Sequence, residues 1–251
     1  MQISHDQHFL EDFKILNKII ETANIKNTET ILEIGSGPGN LTRLLVKKAK
    51  KVIAVELDKL FESKLKELVK DNDNLEVYFS NALDMVNNFK FDKIVSNIPY
   101  SITEPLFKQL FKLNFKKGVM IIGKTFYDKT NDKENKWSII INSFYKVKLI
   151  KAIPRSLFNP VPKTNSVLIS FEPKKPDKFE LITKLIVLQG DKKLKNAIIK
   201  IFRDKLKLTN NEAKNRLFDL FIPQNILERN IDYLSNKQFM YVVNKIKSSL
   251  S

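Results

Sequence analysis

Between residues 30 and 122, short apolar runs alternate with stretches of helical spacing, and no short hairpin link joins any two of the runs. The runs are Thr30 to Ile34, Val52 to Val55, Leu75 to Phe79, Ile94 to Ser96 and Val119 to Ile122; helical patterns lie between them around Leu41 to Lys50, Leu60 to Lys70 and Glu104 to Leu113. Strands that are separated by helices run parallel, and the crossovers cover both faces of the sheet, so the pattern predicts a doubly wound α/β domain. Ahead of it, Phe9, Phe13, Leu16, Ile20 and Ala23 fall at helical spacing, which predicts an amphipathic helix over residues 7–23.

Beyond residue 122 the pattern changes. Val147 to Ile153 and Val167 to Phe171 read as two strands joined by the proline-rich loop Pro154 to Pro162, an antiparallel pair at a sheet edge. Pro173 and Pro176 make a breaker-rich hinge, and only helical periodicity follows, for example Leu181, Leu185 and Leu188, then Phe239, Val242 and Ile246. The expected division is a catalytic domain over 1–173 and a small C-terminal helical domain over 174–251. No internal repeat is present.

Lys and Arg number 44 against 28 Asp and Glu, a net charge of +16, and apolar residues make up 43% of the chain. That apolar share excludes a disordered tail protein. Part of the lysine excess is what codon bias alone produces, since Asn and Ile are plentiful too; the rest points to an anionic partner, nucleic acid before membrane surface. The appendage, 174–251, holds 17 basic and 8 acidic residues, a net of +9. Lys192, Lys193, Lys195, Lys200 and Arg203 there, with Lys47, Lys48, Lys50 and Lys51, are candidates for the grip on a polyanion, or simply solvated helix faces. Cysteine is absent, and the two histidines, His5 and His8, have no second cluster to join, so disulfide scaffolds, thiol nucleophiles and zinc chemistry are not expected. There is no run of about 18 apolar residues and no signal-peptide pattern, so the expected address is cytoplasmic.

The first strand runs into EIGSGPGNLT, Glu33 to Thr42. Glycines at 35, 37 and 39 allow a sharp turn between strand and helix and leave space for a ligand beside the main chain. The second strand ends in VELD, placing Glu56 21 residues after Gly35, where a carboxylate can accept from both hydroxyls of a ribose. Loop and acid together point to a nucleoside-containing ligand, with a tight turn beside a surface glutamate as the bland alternative. The spacing GxGxG is not the GxGxxG of dinucleotide enzymes, and the acidic Glu33 ahead of the glycines suits a cationic ligand such as S-adenosylmethionine better than a pyrophosphate. After the third strand, the Asn81 side-chain oxygen can accept from an adenine amino group.

The fourth strand ends in Ser96-Asn97-Ile98-Pro99-Tyr100, at the carboxyl edge where open α/β sheets bind ligands. An exocyclic amino group on adenine is a poor nucleophile because its lone pair is delocalised into the ring. A site that accepts both N–H hydrogens, with the Asn97 side-chain oxygen and the Ile98 carbonyl, favours a more pyramidal nitrogen and aims its lone pair. Pro99 brings no competing N–H. Tyr100 offers a face for stacking, and no general base is needed.

Taken together, QHFL at 7–10, EIGSGPGNLT at 33–42, VELD at 55–58, NALD at 81–84, NIPYSIT at 97–103 and FNPVPKTNSVLISFEP at 158–173 resemble, in order, the ribosomal RNA adenine N6-dimethyltransferase family of KsgA and Erm type. The segment KKLKNAI at 192–198 matches more loosely. The resemblance implies a Rossmann-like, S-adenosylmethionine-dependent methyltransferase domain followed by a helical RNA-binding domain, acting as a monomer on ribosomal RNA of a small-subunit precursor, without metal or membrane. It implies that His8 and Leu10 border the cofactor, that Gly35, with Gly37, meets its amino-acid part, Glu56 its ribose and Asn81 its adenine, and that Asn97 lies at both cofactor and target. Asn97 and Tyr100 would hold the target base, with Ile98 and Pro99, and Phe158 would close on its other face. Relatives commonly carry Asp where this chain has Asn81. Other readings stay open: an Erm-type enzyme acting on large-subunit RNA, a ribosome-assembly factor with weakened catalysis, and a small-molecule N-methyltransferase, which leaves the charge unexplained.

Overall fold

The computed structural model describes residues 7–190 and 192–249. Nine strands occur, β1 (Phe9–Leu10), β2 (Thr30–Ile34), β3 (Lys51–Glu56), β4 (Leu75–Phe79), β5 (Lys93–Asn97), β6 (Lys117–Gly123), β7 (Tyr145–Ile153), β8 (Phe158–Asn159) and β9 (Ser166–Pro173) among the described residues. Helices in the first half are α1 (Phe13–Ala23), α2 (Thr42–Leu45), α3 (Glu62–Asp71), α4 (Ala82–Met85), α5 (Thr103–Leu110), α6 (Lys124–Asn131) and α7 (Lys136–Phe144). They are followed by α8 (Lys178–Val187), α9 (Leu194–Leu206), α10 (Asn210–Phe218), α11 (Gln224–Leu227) and α12 (Asn236–Ser249).

Seven strands form one sheet in the order β4-β3-β2-β5-β6-β9-β7. Strands β4, β3, β2, β5 and β6 pair in parallel, and β9 pairs antiparallel with β6. The sheet is buried on both faces, as the continuous apolar runs require: Ile31, Leu32, Val52, Ala54, Ile94 and Val95 are all fully buried. Each of the buried Ile, Leu and Val side chains contributes roughly 1.5–3 kcal/mol of transfer free energy, so the five parallel strands are the main source of cohesion. From β2 the chain steps outward through β3 to β4 and then returns to place β5 on the other side of β2. That reversal opens a crevice at the carboxyl ends of β2 and β5.

The opposite edge is closed by ions. Lys93, at the start of β5, is buried with its Nζ 2.7 Å from a Glu29 carboxylate oxygen and donates to the Asn24 carbonyl. Asp92 accepts from the Thr30 N–H and pairs with Lys116 at 2.8 Å. The starts of β2, β5 and β6 are tied together in this way, leaving the other ends for the ligand.

Local chemistry moves several predicted boundaries. The helix expected over 7–23 begins only at Phe13, because the Asp12 side chain accepts from the Ile15 N–H as a cap, while Phe9 and Leu10 pair with Asn159 and Phe158. The helix expected over Leu41 to Lys50 is regular only from Thr42 to Leu45; the Lys50 N–H goes to the Glu29 carbonyl and draws the chain into β3. Residues 123–137, for which no element was expected, build α6 and lead into α7, which Asn135 caps through the Trp137 N–H.

The chain divides into two compact units, one of residues 1–128 with 146–173 and the other of 129–145 with 174–251. The expected boundary at 173/174 separates them at that point, but residues 129–145 belong with the helices. Trp137, Ile140, Ile141 and Phe144 form a buried face of α7, and Lys136 Nζ donates to the carbonyls of Asp232 and Leu234. Reciprocal capping boxes start α8, through Asp177 and Glu180, and α10, through Thr209 and Glu212.

Candidate active site

The crevice between the ends of β2 and β5 is a cavity of about 1080 Å³, part of it open to solvent. His8, Leu10, Gly35, Gly37, Glu56, Asn81 and Asn97 all lie on its wall, joined by Ile98 and Pro99. Residues far apart in the chain are thus gathered at one sheet edge.

Backbone conformation explains the glycines. Gly35 and Gly37 have φ of 73° and 53°, in the left-handed region that side chains rarely adopt. A Cβ at Gly35 would come within 3.2 Å of the Pro99 ring, and one at Gly37 within 3.0 Å of Phe9. The glycine loop therefore touches both the NIPY turn and the N-terminal strand. The Ile34 N–H donates to Ser96 Oγ at 2.9 Å, fixing the two strand ends to each other.

Three acceptor groups face this loop. Glu33 is 2% exposed, and one carboxylate oxygen accepts from the Thr42 hydroxyl at 2.6 Å. Burial pushes its carboxyl up to about 8; the Thr42 hydrogen bond opposes this and the Glu56 charge adds to it. Glu56 is 5% exposed, with one oxygen accepting from the Gly37 N–H at 2.7 Å and the other from the Asp58 N–H at 2.8 Å. Burial raises its pKa as well, against the lowering effect of those N–H groups and that of Leu57. The Glu56 carboxylate keeps acceptor capacity for a hydroxyl donor. Ser36 Oγ is buried on the cavity wall without a hydrogen-bond partner among the described residues. A buried orphan hydroxyl costs on the order of 1–3 kcal/mol unless a ligand satisfies it. An acidic, partly desolvated wall with diol acceptors and one unsatisfied hydroxyl fits a cationic nucleoside such as S-adenosylmethionine.

Asn97 ends β5. Its Nδ2 donates to the His8 carbonyl at 3.0 Å, and since a carbonyl can only accept, the amide orientation is settled and Oδ1 is left as an acceptor. The His8 ring in turn meets the Pro160 carbonyl through Nδ1 at 2.9 Å and lies 5.6 Å from the Tyr100 ring. Tyr100 is held through its hydroxyl by Ser166, and its ring packs where Gly123 has no side chain, since a Cβ there would approach it to 3.3 Å.

Not every expected residue reaches the cavity. Tyr100 lies beside its wall rather than on it. Phe158 is 3% exposed, packed in the core and in register with Leu10, so that it would have to swing outward to meet a base. Asn81 is on the wall, but its Oδ1 already accepts from the Leu83 N–H as the cap of α4, leaving one lone pair and the Nδ2 hydrogens. His5 lies outside the described residues. Gln7, Asn40 and Leu57 also line the cavity and were not singled out from the sequence. Asn40 stands inside the glycine motif and donates to the Leu10 carbonyl at 3.1 Å, and Leu57 directly follows Glu56, so both carried a positional signal. Gln7 carried none beyond the QHFL match.

The basic residues singled out from the sequence are unequal. Lys193 and Lys195 both pair with Glu228, Lys200 with Asp204 and Lys51 with Glu76, whereas Lys47, Lys48 and Lys50 are exposed. Among the described residues there is no cluster of three or more His, Asp or Glu side chains that could hold a metal ion, and no helix is long and apolar enough to cross a membrane.

The model of the family described as ribosomal RNA adenine dimethylase matches residues 1–245. A probable ribosomal RNA small subunit methyltransferase A of Methanococcoides burtonii is 36% identical over 208 residues, 78% of this chain and 77% of the relative. Its counterpart in Methanosarcina barkeri is 32% identical over 255 residues, 96% of this chain and 86% of the relative. A crystal structure of a dimethyladenosine transferase from Plasmodium falciparum superposes with a TM-score of 0.66 at 29% identity, covering 96% of this chain and 98% of that one. The 23S rRNA methyltransferase ErmE shares the fold, with a TM-score of 0.60 at 20% identity over 94% of this chain and 98% of that one.

Proposed function

The chain belongs to the ribosomal RNA adenine dimethylase family, and on that premise we propose that it transfers two methyl groups from S-adenosylmethionine to N6 of adenine in small-subunit ribosomal RNA, at the adjacent adenines of the 3′-terminal hairpin. One observation carries the assignment of the reacting end: the Asn97 amide is tied by Nδ2 to the His8 carbonyl, which leaves Oδ1 as an acceptor on the cavity that Glu33, Gly35 and Glu56 also line.

In this reading the chain binds, orients and accepts hydrogen bonds, and does little covalent chemistry. Glu56 takes the ribose hydroxyls, Asn81 the adenine edge, and Gly35 and Gly37 leave room for the amino-acid part, with His8 and Leu10 at the border. The donor, when bound, supplies an electrophilic methyl on a sulfonium sulfur. Asn97 Oδ1 and the Ile98 carbonyl accept the two N–H hydrogens of the target amine, lifting its lone pair out of conjugation. Pro99, fixed at φ −56° and ψ 134°, adds no donor and stiffens that carbonyl pair. Tyr100 stacks on the withdrawn base, and Phe158 closes on the other face once it leaves its place beside Leu10. The proton lost on alkylation passes to solvent, so alignment is the main source of rate. The helical unit, with its +9 net charge over 174–251, grips the RNA backbone.

The test is methyl transfer from labelled donor to immature small subunits, read by digestion to nucleosides. Labelled N6,N6-dimethyladenosine is expected, and Asn97→Ala should lower turnover by a factor on the order of 10² while donor affinity stays near that of the unaltered protein. Absence of label in both small- and large-subunit RNA would remove the reading; label confined to large-subunit RNA would pass it to the Erm-type alternative. Failure of the donor to bind at millimolar concentration would leave an assembly factor.

A further inference from the structure

Beyond the active site, two aromatic side chains of the helical unit stand out. From the end of α10 into the following turn, Leu217, Leu220 and Ile222 are buried, while Phe218 and Phe221 turn outward at 80% and 75% exposure. Their rings are 6.5 Å apart and tilted by 48°, so they form no parallel slot, and each presents a face of its own. Leaving two phenylalanines in water is unfavourable, and the backbone adds to the cost, because Phe221 has a φ of 50°, an outlier for a bulky residue. That conformation is held on both sides: the Phe221 N–H donates to the Phe218 carbonyl at 3.1 Å, and the Tyr241 hydroxyl of α12 donates to the Phe221 carbonyl at 3.2 Å. Lys245 Nζ lies 5.6 Å over the Tyr241 ring, and Lys214 and Arg216 precede Phe218 on the same helix. Asp219 is the one acid between Lys214 and Gln224.

We propose that Phe218 and Phe221 are a stacking site for unpaired bases of RNA. Aromatic faces interleaved with cations are what a single strand needs, since every base offers a π-face and every linkage a negative charge. A strained backbone that keeps an apolar ring out of the core is a cost borne for a partner rather than for the fold. The basic surroundings favour a polyanion over an apolar protein surface. This inference rests on the assignment of RNA as substrate and adds to it a contact outside the methyl-transfer site.

Phe218→Ala and Phe221→Gly separate the ring from the fold, because glycine accepts the positive φ that Phe221 strains to adopt. For the full-length chain, binding of an unstructured oligoribonucleotide and of small-subunit RNA should weaken by about 5- to 150-fold for each ring removed, the range for loss of one stacked base. Donor affinity by calorimetry and the thermal midpoint should stay close to those of the unaltered protein. Phe218→Tyr should retain affinity, and Phe218→Leu, which keeps the apolar area without a π-face, should not. Affinities within twofold of the unaltered protein in the double variant would overturn the proposal, as would full affinity in Phe218→Leu. So would normal binding of naked RNA with loss of binding only to assembled subunits, which would identify a ribosomal protein as the partner. If the unaltered protein binds no RNA, the substrate assignment itself fails, an outcome distinct from these.

Discussion

Glu33 shows how one buried carboxyl on the cavity wall can cost the fold stability. Its carboxyl sits at the end of β2 with a single hydroxyl donor, from Thr42, and burial lifts its pKa from 4.5 to about 8. A carboxyl raised in the folded state binds a proton there that the unfolded chain has already released, so its contribution is most favourable below about 4.5 and is lost as pH rises toward 8. The thermal midpoint of the unaltered protein should therefore fall across that interval. Glu33→Gln, which keeps the Thr42 contact and removes the titration, should flatten the slope. An unchanged slope in that variant would show that Glu33 ionises normally in the folded chain. Glu56 is raised in the same sense, but backbone N–H groups engage its oxygens, and the Glu33 variant tests the Glu33 carboxyl alone.

Among the elements, β6 joins the parallel strands to the antiparallel edge, and its packing turns on Gly118. The Phe171 ring of β9 points its tip at that position, so that a Cβ on Gly118 would stand 2.1 Å from the ring edge. Phe171 also meets Phe107 of α5 at 5.2 Å and Phe115 at 5.9 Å, so it cannot simply move aside. Gly118→Ala should cost about 1–3 kcal/mol as an overpacked core does. For a chain of this size that lowers the thermal midpoint by roughly 2–4 °C per kcal/mol. Adding Phe171→Leu should recover part of the loss, so that the double variant is less destabilised than the two single changes summed; full additivity in the melts would show that the ring is not the obstacle. The glycine stands next to the apolar run Val119 to Ile122, but nothing in that run points to the phenylalanine packed on it, 53 residues on.

For the whole molecule the governing quantity is charge. A net +16 that pairs internally at only some of its lysines leaves a surplus for phosphates, and each phosphate neutralised releases counterions. Affinity for ribosomal RNA should fall by a factor on the order of 10³ between 50 and 200 mM salt. Donor affinity should change little, since the carboxyl groups on the cavity wall, Glu33 and Glu56, are buried and weakly screened by salt. A shallow salt dependence, measured by filter binding across that range, would show that the lysine excess is compositional and that the grip on RNA is made by few contacts.

How much of this was legible in the sequence follows from the range over which each interaction acts. The five parallel strands, the glycine loop, Glu56 and the NIPY turn could be read directly, because burial on both faces of a sheet leaves apolar runs and a sharp turn demands glycine within a few residues. The resemblance added His8, Leu10 and Phe158 without saying how they meet. Only the tertiary structure decided that the His8 carbonyl orients the Asn97 amide across 89 residues, that Phe158 rests in the core beside Leu10, and that α7 leaves the sheet to join the helices. It also decided that Lys93 is buried against Glu29 and that Phe218 and Phe221 are held outward. A local pattern fixes what a segment prefers; which lysine is paired, which ring is covered and which acceptor stays open depends on neighbours brought close by chain closure, and no window along the sequence contains them.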